Sequence, residues 1–237
     1  MYVHHLDRGA TMRLGPGRAM ALSPDGKFAL TLDAEERTRF RVVPLEDGKA
    51  FDLPLTGLEY QWGRYFPDGE RVITLANEPG RPLRLYVQPL QGKPVPITPP
   101  TVVRNVAISP DGNQVAALSA NGTLAIYPVA GGGAVRTIPT TEALAPLLWT
   151  NAARAGGTQD DWLYVQHLGA YTQIPTRISR LHLKTGRLEH WRDIAPVDPL
   201  GVNAITKVML SADARTLVFN YRRVLSELFV AEPMPGR

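Results

Sequence analysis

An all-β fold, a β-propeller of about five four-stranded blades, is predicted by three features of this 237-residue chain. One tetrapeptide recurs at a fixed interval, a short apolar run follows each copy, and glycine-bearing turns come next at matching offsets. The copies are Ser23-Pro24-Asp25-Gly26, Phe66-Pro67-Asp68-Gly69 and Ser109-Pro110-Asp111-Gly112, opening 43 residues apart. That interval fits one propeller blade of roughly 40 to 45 residues and exceeds the period of ankyrin or tetratricopeptide arrays. Each copy has tight-turn chemistry: Pro presets φ, Asp tolerates the corner, and Gly supplies the left-handed residue that rejoins a strand.

The strands follow in order. After the turns come Phe28-Ala29-Leu30-Thr31-Leu32, Val72-Ile73-Thr74-Leu75 and Val115-Ala116-Ala117-Leu118, apolar or β-branched and of strand length. Next are Phe40 to Leu45, Leu83 to Val87 and Leu124 to Val129, turning at Asp47-Gly48, Gln91-Gly92 and Gly131-Gly132-Gly133. A weaker strand closes each unit at Ala50 to Leu53, Pro94 to Ile97 and Val135 to Ile138, completing the four strands of a blade. The period then degrades. A fourth inner strand is expected at Leu147-Leu148-Trp149, an excursion from Ala152 to Asp161, then strands at Trp162 to Gln166, Ile178 to Leu183 and Leu188 to Trp191. In the fifth copy, Ser211-Ala212-Asp213-Ala214, both Pro and Gly have become Ala. Ala is unfavourable by about 1 kcal/mol at a left-handed position, so this turn is expected to take another geometry.

Both ends carry strands without a complete blade: Tyr2 to Leu6 and Thr11 to Leu14 at the start, Leu217 to Tyr221 and Leu228 to Ala231 at the finish. Pairing of the N-terminal strand onto the last blade would close the ring and remove exposed edges. The same pattern would arise if the chain were part of a longer propeller. One domain spanning 1–237 is expected, since an apolar content of 44% supports a substantial core. No apolar run approaches the roughly 18 to 20 residues that span a bilayer, and no signal peptide is recognisable. Without Cys there are no disulfides, no thiol catalysis and no Cys-ligated zinc. The formal charge of +4 comes from arginines dispersed along the chain with no basic run, which argues against nucleic acid as the partner.

With the repeat in place, the chain resembles the bacterial WD40-like β-propellers of PD40/TolB type over most of its length. Leu22 to Gly26, Gly80-Arg81-Pro82 with Tyr86-Val87-Gln88, Lys184 to Arg187, Asp198 to Val202 and Tyr221 to Val230 are also similar to the C-terminal sensor propeller of bacterial serine/threonine protein kinases. No kinase is present: the Gly-rich phosphate loop, the strand lysine and the catalytic-loop Asp and Asn are missing. The resemblance implies a stand-alone relative or the tail of a longer receptor, with a fused or docked kinase or regulator as partner. As a receptor tail it would be extracytoplasmic.

Catalytic chemistry is sparse. There is no Gly-x-Ser-x-Gly elbow, and Ser23 and Ser109 stand where turn geometry explains them. Of the five histidines, His182 shares a strand face with Arg180 and Lys184 and is expected to be solvated. Asp160, Asp161, Asp193 and Asp198 form no spaced calcium loop, so no metal or cofactor is expected. Loops carry function, and on the face that gathers the links between blades the sequence places Tyr60, Trp62, Arg64, Arg104, Tyr171, Arg222 and Arg223. Trp, Tyr and Arg are the types enriched at binding hot spots, although Tyr60 and Trp62 serve equally well to cover the hydrophobic edge between blades. The sequence reading is therefore a non-catalytic sensor or interaction module for a protein, peptide or small ligand. The alternative is a propeller hydrolase of lactonase or glycosidase type, which would gather Asp33, Glu35, Glu59 and Asp198 at the channel mouth.

Overall fold

Four four-stranded antiparallel meanders succeed one another along the chain, flanked by a hairpin at either end. The computed structural model describes residues 1–5, 9–100, 103–131, 135–153, 159–169 and 174–225, and these contain twenty strands and no helix. The leading hairpin is β1 (Tyr2–His5) and β2 (Ala10–Arg13). Blade 1 comprises β3 (Arg18–Leu22), β4 (Phe28–Leu32), β5 (Phe40–Pro44) and β6 (Phe51–Asp52). Blade 2 comprises β7 (Glu59–Tyr65), β8 (Arg71–Asn77), β9 (Arg84–Pro89) and β10 (Val95–Pro96). Blade 3 comprises β11 (Val103–Ile108), β12 (Gln114–Ser119), β13 (Leu124–Pro128) and β14 (Arg136–Ile138). Blade 4 comprises β15 (Leu144–Ala153), β16 (Gln159–His167), β17 (Thr176–His182) and β18 (Leu188–Ile194). The fifth unit is represented among the described residues by β19 (Val202–Leu210) and β20 (Leu217–Arg223). No helix there is long and apolar enough to cross a membrane.

The second strand of a blade is apolar on both faces because both faces are buried. In β8, Val72 and Ala76 join the cluster shared with blade 1, which includes Leu30, Phe40 and Tyr60. The alternate residues Ile73 and Leu75 point into the cluster shared with blade 3, with Val103, Val115 and Ala117. Ala116 then faces blade 4, against Trp149, Leu163 and Val165. A fourth cluster joins Tyr164 and Ile178 of blade 4 to Val208 of the fifth unit. Each fully buried Val, Leu or Ile contributes about 1.5 to 3 kcal/mol, so these interfaces are the main stabilising term. Blades 1 and 2 approach closely at Gly63, where a Cβ would lie 2.6 Å from the Phe40 ring.

Hydrogen bonding at the repeated turns explains the tetrapeptide. Ser23 Oγ donates to Asp25 Oδ1 (2.6 Å), which also accepts from Lys27 N (3.1 Å), while Phe28 N donates to Ser23 Oγ (2.9 Å). The Gly26 amide, at φ 71°, closes the turn onto Ser23 O (2.9 Å). Ser109 and Asp111 repeat the set, as do Ser211 and Asp213. The fifth turn therefore departs from the sequence expectation. Ala214 keeps the left-handed geometry at φ 55° and closes onto Ser211 O at 2.9 Å. Three side-chain hydrogen bonds, each of about 0.5 to 1.5 kcal/mol, outweigh the roughly 1 kcal/mol conformational cost of Ala.

Two further expectations are modified. The excursion from Ala152 to Asp161 is strand at both its described ends: β15 runs to Ala153 and β16 starts at Gln159, so blade 4 extends its first hairpin. Ring closure through Thr11 to Leu14 is not made by the described strands, because β2 pairs with β1 and β20 with β19. The short β1–β2 connection makes that local pairing cheap in loop entropy, and Leu14 N extends it onto Met1 O at 3.0 Å. The segment Leu228 to Ala231 lies outside the described residues.

Two outcomes follow for stability. Ala214→Gly is expected to stabilise the protein by about 0.5 to 1 kcal/mol in urea unfolding, and Gly26→Val to destabilise it by about 1 kcal/mol or more. The second outcome concerns acid. The Ser hydroxyl bonds first, then the backbone N–H bonds, hold Asp25, Asp111 and Asp213 below the ordinary value of 3.8. Their contribution is complete above that value and is lost as pH falls through the lower folded values. Urea midpoints should therefore drop from about pH 4 downward, and Asp111→Asn should make that acid limb shallower.

Candidate functional site

Successive strands alternate in direction, so each blade has two ends. The repeated tetrapeptides and the third-to-fourth turns lie at one, the second-to-third turns and the links between blades at the other. Toward the latter end the inner strands carry a repeated irregularity: the register slips at Gln61, Arg104 and Leu147, 43 residues apart, and again at Thr206. Gln61, Arg104 and Thr206 each stand five residues before the turn that follows. A bulge bends the strand, so the period has repeated such a position along the first strands of successive units.

A cleft of about 440 Å³ opens at this end between blades 3 and 4 and the fifth unit. Its walls come from Ser119, Ala120 and Gly122, from Ala143 in the link to blade 4, from Gln166 to Gly169 and Thr176, and from Ala204, Ile205 and Thr206. Gln166 and Thr176 are buried, with Gln166 Nε2 donating to Thr176 Oγ1 at 3.4 Å. His167 is held from both sides: Nδ1 lies 2.9 Å from Glu142 Oε1, and Nε2 lies 2.8 Å from Ser179 Oγ. A carboxylate at Nδ1 favours the tautomer protonated there, leaving Nε2 to accept from the serine hydroxyl.

Glu142, His167 and Ser179 thus follow the connectivity of a hydrolytic triad, but the serine is not accessible. Ser179 is 2% exposed on β17, between buried Ile178 and Arg180, and does not line the cleft. An acyl carbon cannot reach Oγ without the blade opening, so the serine orients the imidazole and the imidazole forms the wall. None of these roles was visible in the sequence. The available signal was Gln166-His167, two polar residues closing the apolar run Trp162 to Val165.

The residues singled out from sequence are dispersed. Tyr60 is corrected from surface to core: it is 1% exposed, its ring lies 4.4 Å from Phe40, and its hydroxyl bonds Thr56 Oγ1 (2.7 Å) and Gln88 Oε1 (2.8 Å). Burial pushes its phenol pKa up. Trp62 is half-buried against the cluster between blades 2 and 3. Arg64 is exposed, yet desolvation lowers its pKa. The two observations reconcile if solvent reaches a side chain that protein otherwise surrounds, and Nη1 does reach across to Val106 O of the next inner strand (3.2 Å). Arg104 occupies the bulge of β11, and Tyr171 lies outside the described residues. Arg222 Nε donates to Asn203 Oδ1 (2.9 Å), and Arg223 pairs with Asp198 (3.1 Å). Because Arg222 is opposite Ala204, it stands beside the cleft, whereas Trp62 and Arg64 belong to blade 2.

The acids of the hydrolase alternative do not converge. Asp33 accepts from the Glu35 and Glu36 amides, Glu59 from Asn77, and Asp198 faces Arg223. Among the described residues no three His, Asp or Glu side chains form a group able to hold a metal ion. His182 is buried rather than solvated, edge-on to Trp162 at 4.9 Å with Nδ1 2.7 Å from Thr185 Oγ1. The aromatic neighbour, hidden in the sequence on another strand, accounts for the difference.

Comparison with solved structures places the fold among TolB-type β-propellers. A structure assigned to TolB of Agrobacterium tumefaciens superposes with a TM-score of 0.67 at 14% identity, covering 93% of this chain and 76% of that one. TolB of Acinetobacter baumannii gives 0.62 at 16%, covering 93% and 59%. A nidogen/laminin complex gives 0.55 at 13%, covering 82% and 71%. At these identities the likeness is one of fold. No protein-family model and no curated sequence matches the chain.

Ser179→Ala tests the reading of the His167 wall. It is expected to cost about 1 kcal/mol in urea unfolding through the lost hydrogen bond. Hydrolysis of p-nitrophenyl acetate should be indistinguishable between the variant and the unaltered protein.

Proposed function

We propose that this chain works as one propeller domain and as a non-catalytic interaction module. Its partner is a protein or peptide that seats on the end of the ring where blades 3, 4 and the fifth unit surround the cleft. One observation carries the reading. The cleft combines apolar walls (Ala120, Ala143, Leu168, Ala204, Ile205) with a few fixed polar groups (Gln166, His167, Thr206), the composition of a recognition site. Arg222 beside it, and Trp62 and Arg64 farther along the inner wall, extend the surface with residue types common at hot spots. A nidogen/laminin complex among the structural neighbours supports a protein partner in general terms. In the sensor role implied by the resemblance to kinase-linked propellers, a rigid ring would present these loops and a docked regulator would carry the signal.

Three variants test it against a candidate partner such as the extracellular or cytoplasmic part of a co-encoded receptor. Ala120→Arg or Ile205→Arg, which fill the cleft, should abolish binding in titration calorimetry, and Arg222→Ala should weaken it by about 1 to 2 kcal/mol, all without lowering Tm. Unchanged affinity in the two cleft variants would remove the cleft from the interface. Turnover of a lactone or glycoside by purified protein would favour the hydrolase reading instead.

A further inference from the structure

At the opposite end of the blades, a crevice of about 310 Å³ separates the first two tetrapeptide turns. Asp25 and Gly69 flank it, Phe28 and Phe51 form an aromatic rim, and Tyr65 contributes to its wall. The Tyr65 hydroxyl is buried and has no hydrogen-bond partner among the described residues, an unfavourable state for a phenol. Burial, then the charge of Asp25, pushes the Tyr65 pKa up to about 12, so the neutral phenol faces an ionised carboxylate. Asp25 uses Oδ1 for Ser23 and Lys27, and among the described residues no hydrogen-bond donor engages Oδ2. The charge of Lys27 adds to the causes that lower the Asp25 pKa. Asp68, also in the wall, is already committed to Arg71 (2.6 Å).

The next crevice, between the second and third turns, shows what such a space holds. There Arg71 lies over the Phe66 ring (4.5 Å), gives Nε to Asp68 Oδ2 (2.6 Å) and Nη2 to Gly112 O (3.3 Å). A Cβ on Gly112 would come within 2.7 Å of that guanidinium. Stepping back one 43-residue repeat, Asp68 corresponds to Asp25, Gly112 to Gly69 and Arg71 to Phe28. The first crevice thus keeps the carboxylate and the carbonyl, has Ser23 where Phe66 stands and Phe28 where the arginine stands, and takes its aromatic faces from Phe28 and Phe51 instead; a Cβ on Gly69 would meet nothing nearer than Pro24 at 3.7 Å.

We infer that the crevice between blades 1 and 2 is a docking slot for an arginine side chain of a partner protein. The guanidinium would pair with Asp25 Oδ2, donate to Gly69 O and to the Tyr65 oxygen, and stack on the Phe28 and Phe51 rings. This surface is separate from the cleft proposed above, at the other end of the blades, and stands or falls independently of it.

The test is a titration of the isotope-labelled full chain with N-acetyl-arginine amide, followed by amide NMR shifts. Saturable shifts confined to the Asp25 and Gly69 turns and to Tyr65 are expected. The neutral isostere N-acetyl-citrulline amide should bind at least about tenfold more weakly, as should arginine amide to Asp25→Asn or Tyr65→Phe. Phe28→Arg should fill the slot from within, abolishing the response and raising Tm. Absent or scattered shifts, an equal response to citrulline amide, or full affinity in both Asp25→Asn and Tyr65→Phe would overturn the proposal. An equal response to N-acetyl-lysine amide would overturn its assignment to guanidinium.

Discussion

The second strand of every blade has no side that can face water, and this constraint organises the molecule. Val72 and Ile73 are adjacent, both wholly buried, and belong to different clusters. Such a sheet is stable only when flanked by two others, so each blade requires neighbours on both sides and the sheets must follow one another around an arc. The flanks of the described array show the same requirement in reverse. Leu22 on blade 1, and Met209 and Val218 on the fifth unit, are large apolar residues left exposed. Small residues tune the spacing: Gly63 admits the Phe40 ring between blades 1 and 2, and no larger residue fits there without displacing a buried aromatic.

The tetrapeptide turns serve a second, separable purpose. Their Ser and Asp side chains take over the backbone amides that the turn leaves unpaired, and this network persists when Pro and Gly do not. The fifth copy has the same hydrogen bonds and the same left-handed residue with Ala in place of Gly. The side-chain bonds therefore determine the geometry, and glycine only lowers its cost. In the second copy Phe66 replaces Ser, and Asp68 instead takes the Glu70 and Arg71 amides and the Arg71 guanidinium. One repeat thereby acquired an arginine that bridges two blades, while its counterpart left a crevice.

Polar chemistry concentrates where the repeat is least regular. Blade 4 extends its first hairpin, and that same blade supplies Gln166, His167 and Thr176 to the cleft and Ser179 behind it. Glu142 comes from the link that precedes the blade. A repeat that only had to pack would have no use for an imidazole fixed at both nitrogens. A carboxylate, a histidine and a serine are aligned there with the serine buried in the strand interior, away from the cleft.

The sequence by itself determined the repeat, the four strands of each unit and the turn chemistry, because these are local: period, alternation and φ preference act within a dozen residues. Phe28 to Leu32 was legible to the residue. Surface and interior were less legible. Tyr60 reads as a loop aromatic until Phe40 and Gln88, on other strands, are seen to enclose it, and His182 reads as solvated until Trp162 covers it. The cleft and the arginine-shaped crevice lie between blades, from residues tens of positions apart, and neither has a sequence signature. Only the tertiary structure decided them, because the gap between two packed sheets depends on which side chains meet there, and a repeat specifies each sheet without specifying what its neighbour leaves unfilled.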